Sequence, residues 1–241
     1  MSMQVEKEKR SEHSIGLING FIAYIIWGAV ILYWPYLAPA KPLEILAHRI
    51  LWSLLFVAAI LIYQKRIVSL KVVMNNARQM KLLAVASVLI GVNWGLFIWA
   101  SMNGHVLDSS LGYYITPLLN VALGVFFFKE KLRPMQWLAI GIAGFAVLFI
   151  TLAMGVVPWV ALSLSTSFTM YGYVKKLANV QALESLMIET LILTPVAIGY
   201  LIWLQFNGGN TFLEYGLDHT LWMASAGIFT AIPLLAFGVA I

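Results

Sequence analysis

Ser110-Leu111-Gly112-Tyr113-Tyr114-Ile115-Thr116-Pro117-Leu118-Leu119-Asn120 opens an apolar run that continues to Phe128. Lys129-Glu130-Lys131-Leu132-Arg133-Pro134 follows, and a second apolar run occupies 136–153. A bilayer core about 30 Å thick takes about 20 mostly apolar residues per helix. Two runs of that length, joined by a short charged turn, form an antiparallel pair of membrane helices. This hairpin sets the terms for the rest of the chain.

Working outward, six more apolar stretches appear, at 15–34, 44–63, 82–101, 157–174, 185–204 and 221–241. The sequence therefore predicts an all-α integral membrane protein with eight transmembrane helices. Composition agrees: of 241 residues, 61% are hydrophobic and 10% charged, against roughly 45–50% and 25% in soluble domains. A soluble enzyme, a nucleic-acid binder and a disordered tail are excluded on that ground. There is no cysteine, so disulfides, thiolate metal sites and Cys nucleophiles are excluded too. His13, His48, His105 and His219 are scattered, and only Glu44 and His48 stand at a spacing that suits a metal. No cofactor is expected. Lys7, Lys9 and Arg10 before the first span, with Ala38-Pro39-Ala40 after it, resemble a signal peptide. The apolar stretch is too long for one, and the reading is an uncleaved anchor.

The charges orient the bundle. With the N-terminus inside, 13 of the 15 basic residues lie in inner segments, and only Lys41 and Arg49 fall on the outer side. That bias predicts a cytoplasmic N-terminal segment, 1–14, in a multi-pass inner-membrane protein. It also accounts for the net charge of +5 without nucleic acid as a partner. The lipid bilayer and a small molecule are the expected partners, and a homodimer stays open.

A weak internal repeat is present. Ala23-Tyr24-Ile25-Ile26-Trp27-Gly28 returns in kind as Ser167-Phe168-Thr169-Met170-Tyr171-Gly172; Glu44 and Arg49 correspond to Glu184 and Glu189; Ala86-Ser87 and Phe97 correspond to Ala224-Ser225 and Phe237. A unit with an odd number of spans inserts its second copy upside down, the logic of secondary transporters with a site at the repeat interface. The first repeat is 15–153, with five helices, and the second is 157–241, with three. At 1.5 Å per residue, Arg49 lies about 7 Å inside the outer face and Glu189 about 7 Å inside the inner face. On this reading two helices of the second copy are wanting, and a C-terminal truncation is expected.

Several stretches resemble the RarD-type permeases of the EamA family, in the drug/metabolite transporter superfamily. They are Ala23–Gly28, Glu44-Ile45-Leu46-Ala47-His48-Arg49, the run Ile90–Ala100 and the run Ser110–Asn120, continuing through Glu130, Gln136-Trp137, Gly141 and Gly144. The resemblance implies a ten-helix permease built of two inverted five-helix repeats, moving small organic molecules such as metabolites or amphiphilic drugs, chloramphenicol among them, by alternating access. Two other readings stay open: a non-transporting fragment and, further off, an integral-membrane lipid-modifying enzyme.

Candidate residues are those that sit awkwardly in lipid. Arg49, inside a span, reads as a substrate anchor or gate; the competing explanation is snorkelling to the outer interface beside Lys41. Glu44 and His48 share a helix face and suit a proton relay, or an interfacial pair at a helix start. Glu189 is a candidate for proton coupling, whereas Glu184 reads as a solvated cap and Glu130 as a cap of the hairpin. Asn93 and Trp94 lie in the third span beside Gly91 and Gly95. Tyr113, Pro117, Asn120 and Gly124 form one stripe of the fourth span, where Pro117 leaves the carbonyl of Tyr113 without a helical donor. Tyr171 follows five hydroxyls, Ser163, Ser165, Thr166, Ser167 and Thr169, which either line a pathway or bond their own backbone.

Overall fold

A computed structural model describes the backbone of residues 2–129, 131–155 and 157–240, and side chains from 15 to 236 apart from 126, 128, 130, 154 and 156. The expectations for Glu130 and Phe237 lie outside the described residues. Among these residues every regular element is helical. The order is α1 (Ser2–Ala29), two 3-10 turns (Val30–Leu32, Trp34–Leu37), α2 (Pro42–Tyr63), α3 (Ile67–Met74), α4 (Ala77–Met102), α5 (Val106–Phe128), α6 (Pro134–Met154), α7 (Trp159–Ala178), α8 (Ala182–Phe206) and α9 (Gly216–Ala240).

Each of the eight apolar stretches falls on a long helix. Among the described residues, six of these helices, α1, α2, α4, α6, α8 and α9, are long and apolar enough to cross a bilayer. Helix α7 is diluted by its five hydroxyls and by Lys175 and Lys176 in its last turn. Short α3 stands apart as a link on the basic side.

Helix limits follow local chemistry. Pro42 and Pro134 occupy the first turns of α2 and α6, where the missing N–H costs nothing. The Gln136 side chain accepts the Arg133 N–H at 2.8 Å. Asn76 Oδ1 accepts the N–H groups of Arg78 and Gln79 at 3.1 and 3.2 Å, starting α4. Gly155 ends α6 at φ +66°, a conformation open to glycine without strain.

Two compact units divide the described chain: 1–83 with 179–241, and 84–178. In the first, α2 packs against α8 and α9, and α1 packs against α9. Gly227 of α9 lies so close to α2 that a Cβ there would stand 2.3 Å from the Trp52 carbonyl carbon. In the second, α5 packs against α6 and α7, around Leu111, Ile115 and Ala161. Helix α6 buries none of its apolar window. Phe145, Phe149 and Leu152 project from it, each more than 60% exposed. An apolar face of this kind suits lipid or a protein partner rather than water.

Candidate functional site

Five ionisable side chains of the first unit are sequestered within or beside apolar helices: Glu44, His48, Arg49, Glu184 and Glu189 are all buried. Removing charges from water is costly unless partners replace the hydration, so the partners decide what each group does.

Arg49, on the second turn of α2, is 6% exposed. Its Nε donates to Thr230 Oγ1 of α9, while that hydroxyl donates to the Ala226 carbonyl at 2.8 Å. The guanidinium carbon also lies 5.9 Å from the ring centroid of Trp34. The side chain is thus held inside, against α9, rather than extended to an aqueous interface.

Glu44 and His48 share a face of α2 as expected, but their contacts go to the segment after α8. The Thr211 N–H and hydroxyl both donate to one Glu44 oxygen, Oε1, at 2.6 and 2.9 Å. His48 stacks on Phe212, with ring centroids 4.4 Å apart. The interfacial Glu44–His48 pair is therefore replaced by two separate contacts to 211–212. Nothing near Glu44 in sequence announces this: the partner lies 167 positions away. The one local hint is the uncharged turn-forming run Asn207-Gly208-Gly209-Asn210-Thr211. His219, to which no role was attached, is also buried here. Its Nε2 lies 3.0 Å from the Leu37 carbonyl.

Glu184 requires a correction. It is 1% exposed rather than a solvated cap. Arg66 Nη2 lies 2.7 Å from each of its carboxylate oxygens, and also donates to Gln181. A reciprocal relation results. Glu44 in the first turn of α2 is held by the segment that follows α8, and Glu184 in the first turn of α8 by the segment that follows α2. The two helices consequently run antiparallel, with one buried carboxylate at each end of the pair. Glu189 lies one turn further along α8, 0% exposed, and accepts the Ser185 hydroxyl at 2.6 Å.

In the second unit, Asn93 of α4 donates from Nδ2 to the Leu164 carbonyl and to Ser167 Oγ of α7, both at 2.9 Å. Trp94 beside it is buried, as is Tyr171, whose ring has Lys175 Nζ 5.3 Å from its centroid. Tyr113, Pro117 and Asn120 are exposed along one face of α5, with Tyr113 edge-on to Phe97 at 6.0 Å. The opposite face sends Leu111 and Ile115 into the core. Helix α5 continues through Pro117. Of the α7 hydroxyls, Ser165 and Ser167 bond back to the carbonyls of Ala161 and Ser163 at 2.7 Å. These two follow the self-satisfying alternative, and Ser167 in addition receives Asn93. Among the described residues no group of three or more His, Asp or Glu could hold a metal ion.

Comparison with known proteins gives a consistent set of relatives. Residues 14–152 match the EamA-like transporter family. The chain is 44% identical to Protein RarD of Streptomyces exfoliatus, over 99% of this chain and 74% of that one. It is 40% identical to an uncharacterized transporter of Vibrio cholerae, over 92% of this chain and 74% of the relative. The Chloramphenicol-sensitive protein RarD of Pseudomonas aeruginosa is 29% identical, over 92% and 74% respectively. No solved structure matches.

Proposed function

The chain belongs to the EamA-like transporter family as a multi-pass membrane transporter of the RarD type, and from that premise we propose that it carries small organic molecules by alternating access. The substrates we propose are metabolites or amphiphilic drugs, with chloramphenicol the first to test. The proposed location is the cytoplasmic membrane with the N-terminus inside, in keeping with 13 of 15 basic residues on one side. We read the chain as a carrier and not as an enzyme.

One observation supports this reading above the others: Arg49 is buried inside a span and fastened to Thr230. An intramembrane arginine is costly and marks a substrate or ion path by default. The Thr230 hydroxyl and the Trp34 ring hold the guanidinium inside the span, and we read it as placed to meet an acidic or strongly polar group of a substrate. We assign Arg49 the anchor or gate. Asn93, Trp94, Tyr113, Pro117, Asn120 and Tyr171 are assigned to the substrate path, and His48 and Glu189 to proton coupling.

The experiment is flux of a labelled amphiphile into proteoliposomes carrying the wild type, Arg49→Ala or Glu189→Gln. Flux is expected to fall at least about tenfold in Arg49→Ala, as loss of 1.4 kcal/mol or more of binding would give. Wild-type flux in both variants would overturn the site assignment.

A further inference from the structure

The segment 64–83 carries Lys65, Arg66, Lys71, Arg78 and Lys81 and no acidic residue. By contrast, the turn 129–133 mixes Glu130 with its basic residues. Arg66 is engaged by Glu184. Lys65, Lys71, Arg78 and Lys81 are all exposed, and among the described residues none of these four has an ion pair.

Between these cations stands α3, whose faces differ. Val73 is buried, and the helix packs against α8. Val68 and Val72, one turn apart on another face, are 73% and 66% exposed. Lys71 stands three positions after Val68 and borders that face. Ile67 and Met74 are exposed as well. The helix has 8 residues, or about 12 Å at 1.5 Å each, too short to cross a bilayer. Just before it, α2 ends in exposed Ile62 and Tyr63, and tyrosine at the end of a span marks the membrane–water interface. Just after it, only Asn75 and Asn76 separate α3 from α4, whose first residues bring Arg78 and Lys81 onto one face.

Water would hydrate the four cations but not the valines, and acyl chains alone would do the opposite. A short helix with basic and apolar faces lies in the plane of the interface, its apolar face at the headgroup–acyl boundary. A cluster of Lys and Arg beside a span is matched by anionic headgroups. An acidic protein would match the charges too, but the valines continue from the end of α2, itself long and apolar enough to cross a bilayer. That continuity favours lipid.

We propose that α3, with Lys65, Lys71, Arg78 and Lys81, is a binding surface for anionic phospholipid. Val68 and Val72 meet acyl chains, and the four cations meet headgroup phosphates. The surface is independent of the carrier reading and of Arg49. It also has a structural consequence, because α3 follows directly on Arg66 and packs against α8, which carries Glu184. Lipid held at α3 therefore steadies the end of the α2–α8 pair that Arg66 and Glu184 close.

The test titrates the purified chain, in neutral detergent, with phosphatidylglycerol or phosphatidylcholine and counts bound lipid by native mass spectrometry. The wild type is expected to prefer phosphatidylglycerol at least about tenfold, less so as salt is added. Its melting temperature should rise with phosphatidylglycerol, as for any ligand of the folded state. Replacing Lys65, Lys71, Arg78 and Lys81 by Gln should erase both effects. Should that variant not fold, Lys71→Gln alone decides, with an expected weakening of about fivefold. Val68→Ser with Val72→Ser should weaken phosphatidylglycerol binding severalfold, although every charge remains. Lys129→Gln with Lys131→Gln should leave it unchanged. Equal binding of the two lipids by the wild type would overturn the proposal. A preference that survives in the folded fourfold variant, or is lost equally on replacing Lys129 and Lys131, would overturn it too. So would inorganic phosphate or polyglutamate that binds as tightly as phosphatidylglycerol.

Discussion

Arg66, just beyond α2, holds both carboxylate oxygens of Glu184 at 2.7 Å across 118 positions of sequence. The Glu184 side chain is 1% exposed and that of Arg66 27%. The arginine is about a quarter exposed while the carboxylate is not, so the pair is asymmetric. Removing Arg66 strands a buried charge, whereas removing both partners strands nothing. Arg66→Ala is therefore expected to lower stability by about 3 kcal/mol, at the low end for a broken buried pair. The double variant Arg66→Met with Glu184→Leu should recover most of that loss. Thermal melting in detergent measures both, and additive losses in the double variant would show that the pair does not couple.

The contact of α2 with α9 depends on a missing side chain. A Cβ on Gly227 would stand 2.3 Å from the carbonyl carbon of Trp52 and 2.5 Å from the Ser53 nitrogen. Backbone cannot yield as a flexible side chain does, so Gly227→Ala must separate the helices. The cost should reach or exceed the 1–3 kcal/mol typical of overpacking. Gly112→Ala in α5 is a graded comparison, since its Cβ would lie 3.1 Å from the Ala161 carbonyl oxygen. The larger melting-temperature loss is expected at Gly227, and the reverse order would refute this packing.

How far the sequence reaches is clear from these two contacts. Spans were legible because apolar length is a local property, and all eight stretches lie on helices. The carboxylates were legible as anomalies but not as partners. Glu184 stands near Lys175 and Lys176 in sequence, which suggested a solvated cap, but its neighbour in space is Arg66. Gly227 is one of 18 glycines, and nothing local marks it as the one pressed against α2. The α7 hydroxyls were ambiguous for a different reason. A serine in lipid can bond its own turn, and Ser165 and Ser167 do.

Asn93 joins α4 to α7 through two bonds from a single amide group, to the Leu164 carbonyl and Ser167 Oγ. Truncation to Ala leaves that carbonyl without this donor, a loss of about 1–2 kcal/mol. Ser167→Ala should cost less, because the carbonyl bond survives. The two losses should fall short of additivity by at least about 0.5 kcal/mol, as for residues in contact. A double-mutant cycle by chemical denaturation reads this directly, and strict additivity would mean that the amide and hydroxyl do not interact.

The absence of cysteine in the sequence makes the orientation open to a direct test. Asn207, after α8, is exposed, and so is Lys131, between α5 and α6. With the basic segments inside, the first faces the outer medium and the second the cytoplasm. In intact cells a membrane-impermeant maleimide should modify Asn207→Cys and leave Lys131→Cys untouched until the membrane is opened. The labelled position also fixes the side on which Glu44 meets Thr211, four residues beyond Asn207. Labelling in the opposite order would invert the chain in the membrane and place the Glu44 end of α2, with His48, on the cytoplasmic side.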